Sequence, residues 1–291
     1  SINSGQANTY NVTTLSDIIN SSDGVTSLRE AINDANSNPG KDDILISAGL
    51  IGNLLINSQL AITDDLEIFG SNKTVDANQN CRIFNIDDGN TVNFIEVVIH
   101  DLRITGGNEN GYFVSGGGIY NSENLQLNNC IINHNKLGVT SDGGAGIYHR
   151  EGVLEIYNCT ISENDAGGTA LQIGGGGILV YSGEAIIENT TISNNEAIQI
   201  GGGLHIWDGN ISISNTLISE NSVSTNARGA GINNTNGDVV LNNVEVSNNI
   251  GIKLSGTKDG YGGGILNFQN MTIINSSIHN NSIHAFAGHI A

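Results

Sequence analysis

The chain has 291 residues, of which 29 are acidic and ten basic, giving a formal net charge of −19. That balance makes nucleic acid and anionic lipid surfaces poor partners. No apolar run approaches the roughly 18 residues needed to span a bilayer, so membrane insertion is not expected. With one proline and 39 glycines, periodicity is the strongest structural signal that remains.

In chain order, the sequence opens at Ser1 without a secretory leader, as expected of a processed or trimmed chain. From Thr26 it reads T-S-L-R-E-A-I-N-D-A-N, and Leu28, Ala31, Ile32 and Ala35 recur at helical spacing. An amphipathic helix ahead of a repeat array predicts a cap, because the first unit of an array otherwise leaves an open core and unpaired strand edges. The stretches D-D-I-L-I-S from Asp42, L-A-I-T-D-D-L-E-I-F-G from Leu60, C-R-I-F-N-I from Cys81 and V-V-I-H-D-L-R-I-T-G-G from Val97 then read as less regular opening units.

From Ser115 onward the chain repeats itself. A glycine cluster closed by an aliphatic residue falls at Ile119, Ile147, Ile178, Leu204, Ile232 and Ile265, at intervals of 28, 31, 26, 28 and 33 residues. Such a period marks a solenoid, propeller or array. A second landmark, N-x-x-(I/V)-x-x-N, keeps step with it and starts at Asn129, Asn158, Asn189, Asn215, Asn243 and Asn275. Apolar pairs two residues apart precede it, such as Leu125 with Leu127 and Ile211 with Ile213, the alternation of a strand with one buried face.

Each unit therefore predicts strand, turn, strand, turn, strand, loop. The fold class is all-β, a single-stranded right-handed parallel β-helix with an amino-terminal cap helix. It forms one domain over 1–291, with cap and opening coils in 1–60 and stacked coils in 61–291. Coils spaced by roughly 4.8 Å turn equivalent residues into ladders. Asn135, Asn164, Asn195, Asn221, Asn249 and Asn281 share one turn position, which predicts left-handed backbone there and amides bonded from coil to coil. The glycines predict positive φ and close backbone approach. They lack the Lys-Ser/Thr and following helix of a phosphate loop. Of three cysteines, Cys130 and Cys159 share a position with Thr190, Thr216, Val244 and Ser276. A Cys130–Cys159 bridge is sterically conceivable, but free thiols packed inside are the expectation.

The stretch from Ser27 to Ile32, followed by Ala35-Asn36 and D-D-I-L-I-S, resembles the amino-terminal signature of the secreted bacterial CSLREA-domain family, with Thr26 where that signature has its cysteine. The glycine-Ile and I-x-x-N repeats resemble the right-handed β-helix passengers of polymorphic outer membrane proteins and related adhesins. The resemblance implies a secreted or cell-surface protein, commonly one module of a larger chain.

Strand alternation predicts that Tyr120, Tyr148, Leu179, His205, Asn233 and Leu266 point to one side, with Arg150, Tyr181, Trp207 and Asp208 in the adjoining turn. Aromatic rings beside polar groups stack on sugars, so Tyr148, Arg150, Tyr181, His205, Trp207 and Asp208 form the candidate binding set, and a carbohydrate or cell-surface ligand is the expected partner. The same stripe could instead pack against loops or another subunit. His205 beside Asp208 also has the chemistry of an acid or base.

The competing reading is a polysaccharide hydrolase or lyase on the same scaffold. The repeats carry Lys136, Arg150, Arg228, Lys253 and Lys258, too scattered for a lyase, and the carboxylates Glu123, Asp142, Glu151, Asp165 and Asp208 are not uniquely paired by spacing for hydrolysis. No cofactor is expected, apart from a single calcium loop near Asp142 or Asp259. After the last repeat the chain reads A-F-A-G-H-I-A, without a cap. This predicts either a continuing chain or an end buried by a second copy, with Ile265, Ile273 and Ile278 in the contact.

Overall fold

The computed structural model describes residues 7–109, 115–138, 143–167, 174–225, 227–254 and 260–286. Every strand pairing in it that links successive coils is parallel, with one register shift between Phe69 and Lys73, and the chain winds as a β-helix. Inward positions form continuous columns. Ile99, Leu127, Ile156, Ile187, Ile213 and Leu241 lie one above the next, as do Ile104, Ile132, Ile161, Ile192, Ile218 and Val246. All twelve are fully buried. The period-2 alternation of the sequence thus becomes one core running the length of the solenoid.

Each regular coil contains four strand segments rather than the expected three. The coil after the first glycine cluster runs Ile119–Asn121, Asn124–Asn128, Ile131–Asn133 and Lys136–Leu137. The glycine-side strands form an eight-stranded wall, and the fourth segments, two residues long except for Ile250–Leu254 and Ser282–Phe286, form a seven-stranded one with Asn108–Glu109. The middle two walls are one sheet, because the early strands Leu66–Asp76 and Glu96–Thr105 run through both. The fourth segment escaped sequence reading because two residues are too short to show an alternation.

The asparagine ladder exists, with a correction to its backbone. Each ladder Nδ2 donates to the Oδ1 of the next coil: Asn135 to Asn164 at 3.0 Å, Asn164 to Asn195 at 2.9 Å, Asn195 to Asn221 at 3.0 Å, Asn221 to Asn249 at 3.0 Å and Asn249 to Asn281 at 2.9 Å. The left-handed residues are not these. They are the preceding ones, His134, Glu163, Asn194, Glu220, Asn248 and Asn280, together with the first asparagine of each motif, all with φ between 49° and 58°. The ladder residue needs ordinary backbone so that its side chain turns inward.

The glycines serve the same ladder. A Cβ on Gly146, Gly177 or Gly203 would come within about 2.9–3.0 Å of the Nδ2 of Asn164, Asn195 or Asn221 and within 2.5–2.8 Å of the next coil's carbonyl. Positive φ is supplied by other members of the cluster, such as Gly175 at +71° and Gly201 at +55°. The two landmarks are therefore two sides of one contact.

Cys130, Cys159, Thr190, Thr216 and Val244 are each at most 3% exposed, and the cysteines are free thiols. The Cys130 amide donates to Cys159 Sγ at 3.3 Å, and the Cys159 amide to Thr190 Oγ1 at 3.2 Å. Hydrogen bonding to Cys159, together with burial, holds the Cys130 thiol above its ordinary range.

The cap helix runs Leu28–Asn36 and buries the four residues expected of it. Ser27 and Glu30 form a reciprocal capping box, and Glu30 also accepts from the Asn20 amide at 2.5 Å. Arg29 grips Asp17 through two bonds of 2.8 and 2.9 Å and donates to the carbonyls of Gln59 and Ser58. At the other end, Ile273 and Ile278 pair with the buried Leu241 and Val246 but are each 46% exposed.

Candidate functional site

The glycine-side wall carries Asn85, Tyr120, Tyr148, Leu179, His205, Asn233 and Leu266 in one outward column, as strand alternation predicts. Its middle is covered: Tyr148 is 8% exposed, Leu179 4%, and His205 and Asn233 2% each. The residue after each strand forms a second column at the corner, namely Arg150, Tyr181, Trp207, Thr235 and Phe268. Their amides donate to the carbonyls of His149's neighbour Asn121, of His149, Val180, Ile206 and Asn234 respectively. The candidate set therefore divides. Tyr148 and His205 lie in the covered wall, whereas Arg150, Tyr181 and Asp208 stand in solvent and Trp207 is half-buried.

Rings link the two columns along the solenoid. Tyr120 and Tyr148 stack with centroids 5.4 Å apart, Tyr148 and Tyr181 tilt at 6.3 Å, and Tyr181 and Trp207 lie parallel within 4° at 6.2 Å. The Arg82 guanidinium lies 5.2 Å from the centre of the Tyr120 ring and is held by the carbonyls of Gly116 and Ser115. Arg150 reaches the Tyr120 hydroxyl at 3.5 Å and Glu151 at 3.8 Å.

His205 meets the Trp207 ring edge-on at 6.1 Å. Its Nε2 is 3.3 Å from Thr235 Oγ1, which also accepts from Asn233 Nδ2 at 3.1 Å. Burial pushes the His205 pKa down to about 3, so the ring is neutral at physiological pH. His205 Nδ1 and Asn233 Oδ1 are buried without a hydrogen-bond partner.

The structure also gathers residues that sequence spacing did not. Asp87, Asp88 and Glu123 bring carboxylate oxygens within 4.8 Å of one another. Glu123 is fully buried, and its two oxygens accept from the amides of Asp88 and Ile95, each at 3.0 Å. It thereby fastens the loop between strands Phe84–Ile86 and Glu96–Thr105. Burial raises its pKa to about 7. Beside it, Asn121 bonds the Glu123 carbonyl and approaches His149 Nδ1 at 2.9 Å. Burial lowers the His149 pKa to about 4. The only sequence signal for this corner was polarity at inward positions of Ile119–Asn121 and Ile147–His149. Asp142 and Asp259, the expected calcium positions, and Lys258 lie outside the described residues.

Fold and corner together define a parallel β-helix repeat protein with an aromatic column along one edge. No protein-family model, curated protein or solved structure matches the chain. Among the described residues no helix is long and apolar enough to cross a membrane.

Proposed function

We propose that the chain is a secreted or cell-surface recognition module that holds carbohydrate on the corner column. The observation that carries this reading is the corner run of exposed Arg150 and Tyr181 and half-buried Trp207, with exposed Asp208 directly after it. It combines apolar ring surface with charged groups that bond hydroxyls, on a scaffold whose continuous core keeps it rigid. The resemblance to β-helix adhesin passengers supports the same setting.

Binding of immobilised glycans tests the reading, with Tyr181→Ala and Trp207→Ala expected to weaken capture and to leave the thermal midpoint close to that of the parent. Unchanged capture by both variants would remove the corner from the proposal. Reducing-end release from neutral and acidic polysaccharides is measured alongside. Release abolished by substitution of a corner carboxylate would replace recognition with hydrolysis.

A further inference from the structure

On the glycine-side wall, ahead of the aromatic column, Arg82 is a guanidinium with neutral partners only. The residue is 8% exposed. Its Nε donates to the Gly116 carbonyl and its Nη2 to the Ser115 carbonyl, each at 2.9 Å, and its Nη1 donates to Gln59 Oε1 at 3.1 Å and to Asn85 Oδ1 at 3.0 Å. The Tyr120 ring, its centre 5.2 Å away, is neutral as well. Among the described residues no carboxylate lies within ion-pair distance of Arg82. Buried charges are ordinarily paired, and burial holds this one below the ordinary guanidinium range.

Arg82 also orients its partners. A guanidinium offers donors only, so the amide oxygens of Gln59 and Asn85 face it, and their NH2 groups are left as donors with no acceptor among the described residues. Gln59 is exposed, and Asn85 and Tyr120 are half-buried neighbours in the outward column. Arg150 stands at the Tyr120 hydroxyl, with Nη1 at 3.5 Å, and meets a carboxylate only in Glu151 at 3.8 Å. Two amide NH2 groups, a phenol hydroxyl and two guanidiniums are thus each tied to Arg82 or to Tyr120.

We propose that this stretch of wall binds the carboxylate of an acidic glycan, a deepening of the carbohydrate reading that rests on it. Every group named donates, and an anion is the ligand that accepts from all of them. Arg150 belongs both to this stretch and to the corner column, and the rings of Tyr120, Tyr148 and Tyr181 run from one to the other. The net charge of −19 slows the approach of a polyanion, but it acts at long range, where salt screens it. The pairing with Arg82 is local.

The probes are oligosaccharides of galacturonate and of glucuronate, each also as its methyl ester, which keeps the rings and removes the charge. In calorimetry at least one acid form is expected to bind about tenfold or more tightly than its ester. Arg82 ties two turn carbonyls, so the test leaves it in place. Asn85→Asp keeps an oxygen on Arg82 and installs the missing carboxylate. It is expected to weaken the acid form about tenfold or more, to leave the ester unchanged and to raise the thermal midpoint. Arg150→Gln is expected to weaken the acid form without that rise. Equal affinity for acid and ester overturns the carboxylate site and leaves carbohydrate binding standing. Unchanged acid binding in Asn85→Asp overturns the assignment to Arg82. Acetate bound as tightly as the oligosaccharides overturns the glycan as the source of the carboxylate. Silence of every probe in a protein that captures neutral glycans removes this proposal alone, whereas capture of no glycan removes the reading beneath it as well.

Discussion

Asn221 shows how much one side chain carries here. Its Oδ1 accepts from the amide and Nδ2 of Asn195, both at 3.0 Å, and its Nδ2 donates to Asn249 Oδ1 and to the Ile192 carbonyl. Asn221→Ala strands several of these buried groups at a cost of about 1–3 kcal/mol each, so a loss of at least about 3 kcal/mol is expected in urea denaturation. One position earlier, Glu220 is left-handed at φ 58°, a conformation that asparagine adopts at lower cost. Glu220→Asn is expected to raise stability by about 0.5–1 kcal/mol. A fall in the denaturation midpoint would place the strain elsewhere. Glu123 gives a pH signature. Its folded pKa is raised from 4.5 to about 7, so the folded state holds a proton that the unfolded state has lost. Its contribution is intact below pH 4.5 and declines as pH rises toward 7. His149 and His205 act oppositely: held neutral by burial, with pKa values near 4 and 3, they erode stability as pH falls below 6.5. The Glu123→Gln variant should therefore gain on the parent steadily from pH 4.5 to 7. A constant difference between the two across that window would exclude the proton.

The cap helix explains the residues of the signature that the chain resembles. Ser27 and Glu30 close the capping box, Leu28, Ala31 and Ile32 enter the core, and Arg29 ties the helix to Asp17 and to the carbonyls of Ser58 and Gln59. Asp17 is 5% exposed at its side chain, and removing one partner of a buried pair costs about 3–5 kcal/mol. Arg29→Ala is expected to approach that loss and to accelerate amide exchange across 17–36 while the coils beyond 115 stay protected. Uniform acceleration along the chain would mean that cap and coils unfold as one unit. The helix was legible because its apolar stripe and cap lie within eleven residues. The tie to Asp17 was not, since it joins a loop of no regular pattern to a position twelve residues on.

Taken together, the coils form one long core, and its columns carry exposed isoleucines at 273 and 278. Exposed apolar side chains in line with a buried core favour association. Light scattering at micromolar concentration is expected to show particles larger than one chain, reduced by Ile273→Lys with Ile278→Lys. A strictly monomeric parent protein would dismiss the contact.

The sequence alone determined the β-helix, because a solenoid is quasi-one-dimensional. Each coil meets only its neighbours, so the 26- to 33-residue recurrence of glycine-Ile and I-x-x-N already states which residues touch. It determined the column of Tyr120, Tyr148, Leu179 and His205 for the same reason. Tertiary structure decided what period cannot encode. It set which members of that column are covered, since burial of Tyr148 and His205 depends on what packs over the wall. It placed left-handed backbone one residue before the ladder, since that follows from the direction in which an amide must turn. It also brought Asp87 and Asp88 to Glu123 across a coil whose loop breaks the repeat.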